Sequence, residues 1–413
     1  MRIATSQIYS SSLSTMENQQ SSLLAVQQQI STGVAISNPA DNPLGAAQAV
    51  QLSATSANLT QYASNQSTAL SSLQLEDSTL SSVTTTLQAM SQQIQSAING
   101  SLNDNDRQAL AKQLTGERSQ LLTLANTTDG AGNYLFSGFQ STSQVFTNQS
   151  GGGVTYNGDL GQRTVQVAGS RSIAISDTGA AVFQTVSSVG TSAVASGNSS
   201  NTGTGTISGV TVTDPTQATN GHNLSIQIGG TAGALTYTVT DNTTSPATAL
   251  ATNQPYTDGS TIDLGSGMNV TISGTPAVGD KFSVTPATAA QNSSVFSSID
   301  SVIAALQSSA TGNPSATANL QNALQTGLTQ IGNSTSNVIT LQASVGGREQ
   351  EVKALQTVTS TNSLQITSNL DDLVSTDTVA AITQYEQISN ALSASQKSFA
   401  ATQQLSLFQY INP

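Results

Sequence analysis

Seven positions spaced seven residues apart constrain this chain more than any other feature: Leu52, Leu59, Gln66, Leu73, Leu80, Leu87 and Ile94. Six of the seven are apolar. A row at this spacing lies along one face of a long helix and forms the seam that helical bundles and coiled coils bury. A companion row, Tyr62, Ala69, Val83, Met90 and Ala97, widens the stripe and is interrupted by Glu76. The pattern stops near Asn99-Gly100. A further helix is predicted from about Asn105-Asp106, with Leu110, Leu114, Leu121 and Leu124 on one face, ending by Asp129-Gly130.

The last third repeats the device. Leu324, Ile331, Val338, Val345, Val352, Ile366 and Leu373 recur at seven with Thr359 in the gap, and Leu341 and Leu355 widen the stripe. An ordinary intramolecular bundle would bury these inner rows, so Leu52, Leu59, Leu73, Leu80, Leu87, Ile94, Leu324, Ile331, Val338, Val345 and Val352 are the candidate stalk core.

The outermost segments are weaker. Leu13, Met16, Leu23 and Ile30 alternate at three and four, with Gln20 and Gln27 in the seam, and the segment ends at Gly33. A turn, Ser37-Asn38-Pro39-Ala40-Asp41-Asn42-Pro43, leads into the long helix. Asn42 is placed to cap it and Pro43 to open it, since proline lacks only an amide that would be unpaired there. At the other end Ile382, Tyr385, Leu392 and Phe399 mark a last helix, preceded by Asp371-Asp372 and Asp377 and followed by Leu405-Ser406-Leu407-Phe408-Gln409-Tyr410-Ile411. These seams are too short and polar to hold firmly by mutual pairing. The candidate assembly residues are therefore Leu13, Met16, Leu23, Ile30, Ile382, Leu392 and Phe399. Residues about 1–40 and 376–413 are expected to order only when neighbouring copies cover them.

Between the helical ends the period changes to two. Tyr134-Leu135-Phe136-Ser137-Gly138-Phe139 is followed by two predicted strands, Val154-Thr155-Tyr156 and Arg163 to Val167, around a turn containing Asn157-Gly158. Residues 189–206 are rich in Ser, Gly, Asn and Thr and read as a linker. Short alternating runs follow at Ile207–Val212, Leu224–Ile228, Leu235–Val239, Thr261–Leu264, Met268–Ile272 and Lys281–Val284, separated by turns such as Asn220-Gly221 and Asp258-Gly259. The expected fold is α+β and multidomain: N- and C-terminal helices paired in a coiled-coil-like stalk around a β-rich insertion. The boundaries read as 1–42 with 376–413 (terminal assembly), 43–135 with 290–375 (helical bundle), 136–188 (β-hairpin) and 189–289 (linker and inserted all-β domain). The strand-rich unit at 207–286 is expected to be separable.

Composition limits the chemistry. Charged residues are 8% of the 413 and the net charge is −12, with cations such as Arg348 and Lys353 scattered. Nucleic-acid binding needs a clustered positive patch, and no such run exists. No stretch approaches the roughly 20 apolar residues of a membrane span. Low charge with abundant Ser, Thr, Gln and Asn suits a surface pressed against copies of itself. There is no cysteine, and His222 is the sole histidine, beside the Asn220-Gly221 turn. A metal centre or a Ser–His–acid triad would need more than one such turn residue supplies. Asn103-Asp104-Asn105-Asp106 lacks the glycine and glutamate of a calcium loop and reads as a helix cap. Asp258, Asp263 and Asp280 could in principle converge as paired carboxylates, but acidic turn residues usually cap turns. The reading is a structural protein with no enzyme activity, no metal and no cofactor.

Several motifs together resemble the flagellin superfamily, and within it the hook–filament junction branch. They are Met1-Arg2-Ile3-Ala4-Thr5 with Tyr9, Ile30-Ser31-Thr32-Gly33 through Asn38-Pro39-Ala40-Asp41-Asn42-Pro43, Tyr134-Leu135-Phe136-Ser137-Gly138, Tyr156-Asn157-Gly158-Asp159, Gly347-Arg348 and the ending Leu405 to Ile411. Coverage is good over roughly the first 185 and last 120 residues. One departure is Val34-Ala35-Ile36, where a basic residue usually follows the turn glycine. The resemblance implies an extracellular axial component of the bacterial flagellum, exported by the flagellar type III route with no cleaved signal peptide; the opening residues lack the apolar core of one. The implied partners are further copies of the chain, another hook-associated protein, flagellin, and a cytoplasmic export chaperone. Leu405, Leu407, Phe408 and Tyr410 would serve the chaperone or axial contacts. The alternatives are a filament flagellin, or a stalk displaying an adhesin-like β-domain with Tyr237, Tyr256 and Phe282 as its aromatics.

Overall fold

Backbone chemistry at the helix ends sets the element boundaries. The structure, a computed structural model, describes residues 5–40, 42–98, 102–149, 152–265 and 267–404. α1 (Thr5–Thr32) stops at Gly33, whose φ of 71° places it in the left-handed region while its N–H closes onto the Gln29 carbonyl at 2.9 Å. This is the glycine C-cap, which a side chain would strain. α2 (Pro43–Ile98) begins where the Asn42 side chain accepts the Gly45 N–H at 2.9 Å. α3 (Asp104–Ala125) opens with a capping box: Asn103 accepts from Asn105 and Asp106, and Asp106 reaches back to the Asn103 N–H. The four-residue acidic-amide run is therefore a helix cap. α3 ends at Ala125 rather than near residue 129, because Asp129 turns the chain by accepting the Ala131 and Asn133 N–H groups.

The middle of the chain is antiparallel β throughout. β1 (Phe146–Asn148) pairs with β2 (Val154–Tyr156), and β3 (Thr164–Ala168) with β4 (Arg171–Ala174). After a short π-turn at Ala180–Gln184 come β5 (Val194–Gly197), β6 (Thr206–Ile207), β7 (Thr211–Val212), β8 (Leu224–Thr231), β9 (Ala234–Asp241), β10 (Thr248–Pro255), β11 (Thr261–Asp263), β12 (Met268–Ser273) and β13 (Lys281–Thr285). One sheet has the order β10-β9-β8-β13-β5; in the other β12 pairs with β11, β6 and β7. Leu224, Ile226, Ile228, Val239, Ile262, Met268, Val270, Ile272, Phe282 and Val284 from both sheets form one buried core. Alternation along β8 and β12 puts every second side chain into that core. Two short helices, α4 (Ala290–Ser293) and α5 (Val295–Gln307), lead to α6 (Pro314–Val374) and α7 (Thr378–Gln404).

The chain divides into two units, one built from residues up to Ser64 and from Leu355, the other from Asn65 to Ala354. In the first, α1 packs along α7, and the chain after Gly33 bridges to the end of α6: the Ala35 N–H reaches Val374 O at 2.7 Å and the Thr376 N–H reaches Gly33 O at 2.9 Å. In the second, α2 and α6 meet at Gln342, whose side chain donates to Asp77 at 3.0 Å. α3 packs on α5, and α5 contributes the buried Phe296, Ile299, Val302 and Leu306.

Residues 189–206 are not a free linker. β5 lies within them and pairs with β13. The segment and its flanks are laced to α6 by side chains three, four or seven residues apart. Asn322 donates to Gly205 O at 3.0 Å and accepts the Ile207 N–H at 2.9 Å. Asn333 makes the same paired bonds with Ser192, at 2.8 Å each way. Asn337 holds Ala181 O and the Ser187 N–H, Thr326 holds Ala195 O, and Asn319 holds Ser199 O and Asn201 O. A carboxamide carries one donor and one acceptor face, so it can replace a strand's pairing partner. Composition could not reveal this, because polar residues at helical spacing look the same whether they face water or backbone.

Candidate assembly surfaces

The terminal pair carries the first set of candidate residues. Met16, Leu23 and Ile30 of α1 and Leu392 and Phe399 of α7 are half-buried, whereas Leu13 and Ile382 remain 47% and 48% exposed. Tyr9 meets Phe399 with ring centroids 4.7 Å apart. Among the described residues, Val26 and Ala381 are the only fully buried positions of these two helices. Leu24 and Val379 are exposed on the same two helices. In the Val34-Ala35-Ile36 run after the glycine, Val34 forms a backbone bridge with Ser375, and the Gln29 side chain donates to Ala35 O at 2.9 Å. Leu405, Leu407, Phe408 and Tyr410 lie outside the described residues.

The stalk rows divide with the units. Leu73, Leu80, Leu87, Ile94, Leu324, Ile331, Val338, Val345 and Val352 are fully buried. Leu52 and Leu59 are half-buried. The polar members of α2 are not defects in the seam. Gln66 donates to Val167 O at 2.7 Å, and Glu76 accepts the Asp177 N–H at 2.7 Å. Burial and the neighbouring Asp177 charge push the Glu76 carboxyl up from its ordinary 4.5 to about 7.

Two motifs that carried the family resemblance form one interlocked structure. Leu135, Phe136 and Ser137 are buried, and Gly138 turns at φ 74° against Asp159. The Asp159 carboxylate accepts the N–H groups of Phe139, Gln140 and Gly161 at 2.7–3.1 Å, and these bonds hold its pKa below the usual carboxylate range. The Tyr156 hydroxyl donates to Asp159 O at 2.7 Å. Behind them Phe136, Phe146, Tyr156, Phe183 and Phe296 cluster at ring separations of 5.2–5.8 Å. The outcome is an interlocked double loop that leaves Phe139 and Leu160 outward, 67% and 77% exposed.

The three carboxylate candidates hold backbone, and the histidine pairs with an aspartate. Asp258 caps the Gly274 N–H, Asp263 caps Gly265, and Asp280 holds Thr202, Gly203 and Ala277. His222 sits at a bend with its Nδ1 2.5 Å from Asp241. Among the described residues, no cluster could hold a metal ion, and no helix is long and apolar enough to cross a membrane. Of the three aromatics, Phe282 is in the core, Tyr237 and Tyr256 are partly buried against it, and the Tyr256 hydroxyl donates to Gly274 O at 2.8 Å.

Residues 3–141, which hold α1, α2 and α3, match the bacterial flagellin N-terminal helical region. The chain is 30% identical over 409 residues to flagellar hook-associated protein 3 of Escherichia coli, covering 99% of each. It is 40% identical over 188 residues to the protein of the same name from Salmonella typhimurium, a match spanning 46% of this chain and 58% of that relative. The crystal structure of the flagellar junction protein FlgL from Legionella pneumophila superimposes with a TM-score of 0.67 at 27% identity, covering 80% of this chain and 100% of that one. The chain belongs to the flagellar hook-associated protein 3 family, structural proteins of the bacterial flagellum.

Proposed function

We propose that this chain joins the flagellar hook to the flagellin filament as an axial junction protein and performs no catalysis. The observation that carries the reading is the terminal pair, α1 and α7, which leaves Leu13, Leu24, Val379 and Ile382 exposed on helices with one buried residue each among those described. Isolated helices of this kind are marginal, and packing against neighbouring copies would bury the remaining faces. Other copies of the chain, another hook-associated protein on the hook side and flagellin on the filament side are its partners. A cytoplasmic chaperone that holds the C-terminal segment, with Leu405, Leu407, Phe408 and Tyr410, keeps it competent for export through the flagellar route.

Electron microscopy of cells lacking the protein tests the role. Hooks without filaments, with flagellin released into the medium, are expected. Normal filaments on such cells would overturn it.

A further inference from the structure

Glu76 stands where the companion row of α2 calls for an apolar side chain, and it is wholly buried. One of its oxygens accepts the Asp177 N–H at 2.7 Å, while the other, Oε2, is buried with no hydrogen-bond partner. Asp177 is buried too; Arg348 of α6 donates to it at 2.5 Å and to Ala174 O at 3.1 Å, and Gln162 donates to its second oxygen at 2.9 Å. Two buried carboxyls thus lie beside one guanidinium, which bonds directly to Asp177. The other charged groups nearby on these elements are engaged elsewhere: Asp77 with Gln342, Arg163 with the Tyr134 and Leu135 carbonyls, Arg171 with Glu351, and Lys353 with Glu349. Desolvation and repulsion by Asp177 act against a second negative charge at Glu76 and outweigh the Asp177 N–H bond and the Arg348 charge, which favour it.

We propose that Glu76, Asp177 and Arg348 form a proton-operated latch that fastens the segment from Gln162 to Thr178 onto α2 and α6, closed while Glu76 is neutral and loosened when it ionises. The far end of the segment is held independently of charge, by Asn65 on Gln166 O at 2.8 Å and Gln66 on Val167 O at 2.7 Å. Loosening is accordingly local to Ile175–Thr178, which leads directly into the π-turn that delivers Phe183 to the aromatic cluster. The folded chain keeps a proton that the unfolded chain releases above about pH 4.5, so stability falls as pH rises from there to about 7 and is level beyond.

Amide exchange of the full chain between pH 5.5 and 8.5, corrected for intrinsic rates, reads the latch directly. Protection of the Asp177 amide should fall on the order of tenfold across that range, while the Gln66-bound strand β3 holds steady. Glu76→Gln keeps a neutral side chain of the same shape and should hold its protection at both ends of the range. A carbon-13 titration of the Glu76 carboxyl in the unmodified chain gives a readout independent of how the variant folds. A carboxyl titrating near its ordinary 4.5, or an equal loss of protection in Glu76→Gln, would overturn the latch.

Discussion

The rings of Tyr9 and Phe399 lie 4.7 Å apart and tilted by 60°, tying the start of α1 to the far end of α7. An aromatic pair of this kind contributes about 0.5–1.5 kcal/mol beyond its buried area, too little to order two helices of 28 and 27 residues by itself. The first prediction follows: amides of residues 9–30 and 382–399 should exchange freely in the monomer and become protected in the assembled state. Strong protection in a demonstrated monomer would rule out coupling of folding to assembly.

Asn322 satisfies a donor and an acceptor at once, and both of its backbone partners, Gly205 O and the Ile207 N–H, sit in a buried strand entry. Asn322→Ala leaves two buried polar groups unpaired, at about 1–3 kcal/mol each. Denaturant unfolding of the full chain should show a loss of about 2–4 kcal/mol. Asn319→Ala, whose partners are nearer solvent, should cost about 1 kcal/mol or less. Equal small effects would mean that the inserted domain is not mounted by this row.

Gly138 and Gly132 both occupy the left-handed region, at φ 74° and 84°, but a Cβ at Gly138 would collide with the Asp159 side chain, whereas one at Gly132 meets open space. Alanine at Gly132 should cost about 1 kcal/mol in backbone strain alone. Alanine at Gly138 should cost more and also expel the carboxylate from its three N–H donors. Comparable melting temperatures for the two variants would contradict the collision.

Asp159 titrates lower in the folded chain than in the unfolded one, chiefly because the Phe139 N–H bonds to its charged form. Its contribution is therefore present above the ordinary carboxylate value of 3.8 and is lost as pH falls below it. Asp159→Asn should melt below the parent at neutral pH, and the gap should close in acid. A gap that stays constant between pH 6 and pH 2 would show that the charge is irrelevant to the loop.

The seven-residue rows by themselves determined the long helices. Leucines at that spacing have no other way to leave water together, and Asn42-Pro43, Asn103 and Gly33 mark ends through local hydrogen bonds that any fold would need. The strands at Leu224 and Met268 were legible for the same reason, since alternation is a local pattern. Tertiary structure alone decided the rest. β10 is mostly exposed and irregular, with two register shifts against β9, so it carries no alternation to read. The polar stretch at 189–206 became a strand and a laced strap only because the Asn322 and Asn333 carboxamides of α6 arrive opposite its backbone. Glu76 looked like a break in an apolar row; the arrival of the Asp177 N–H and Arg348 from distant parts of the chain makes it a buried acid. Hydrogen bonds between residues far apart in sequence leave no periodicity behind, because each depends on a geometry that neither partner specifies alone.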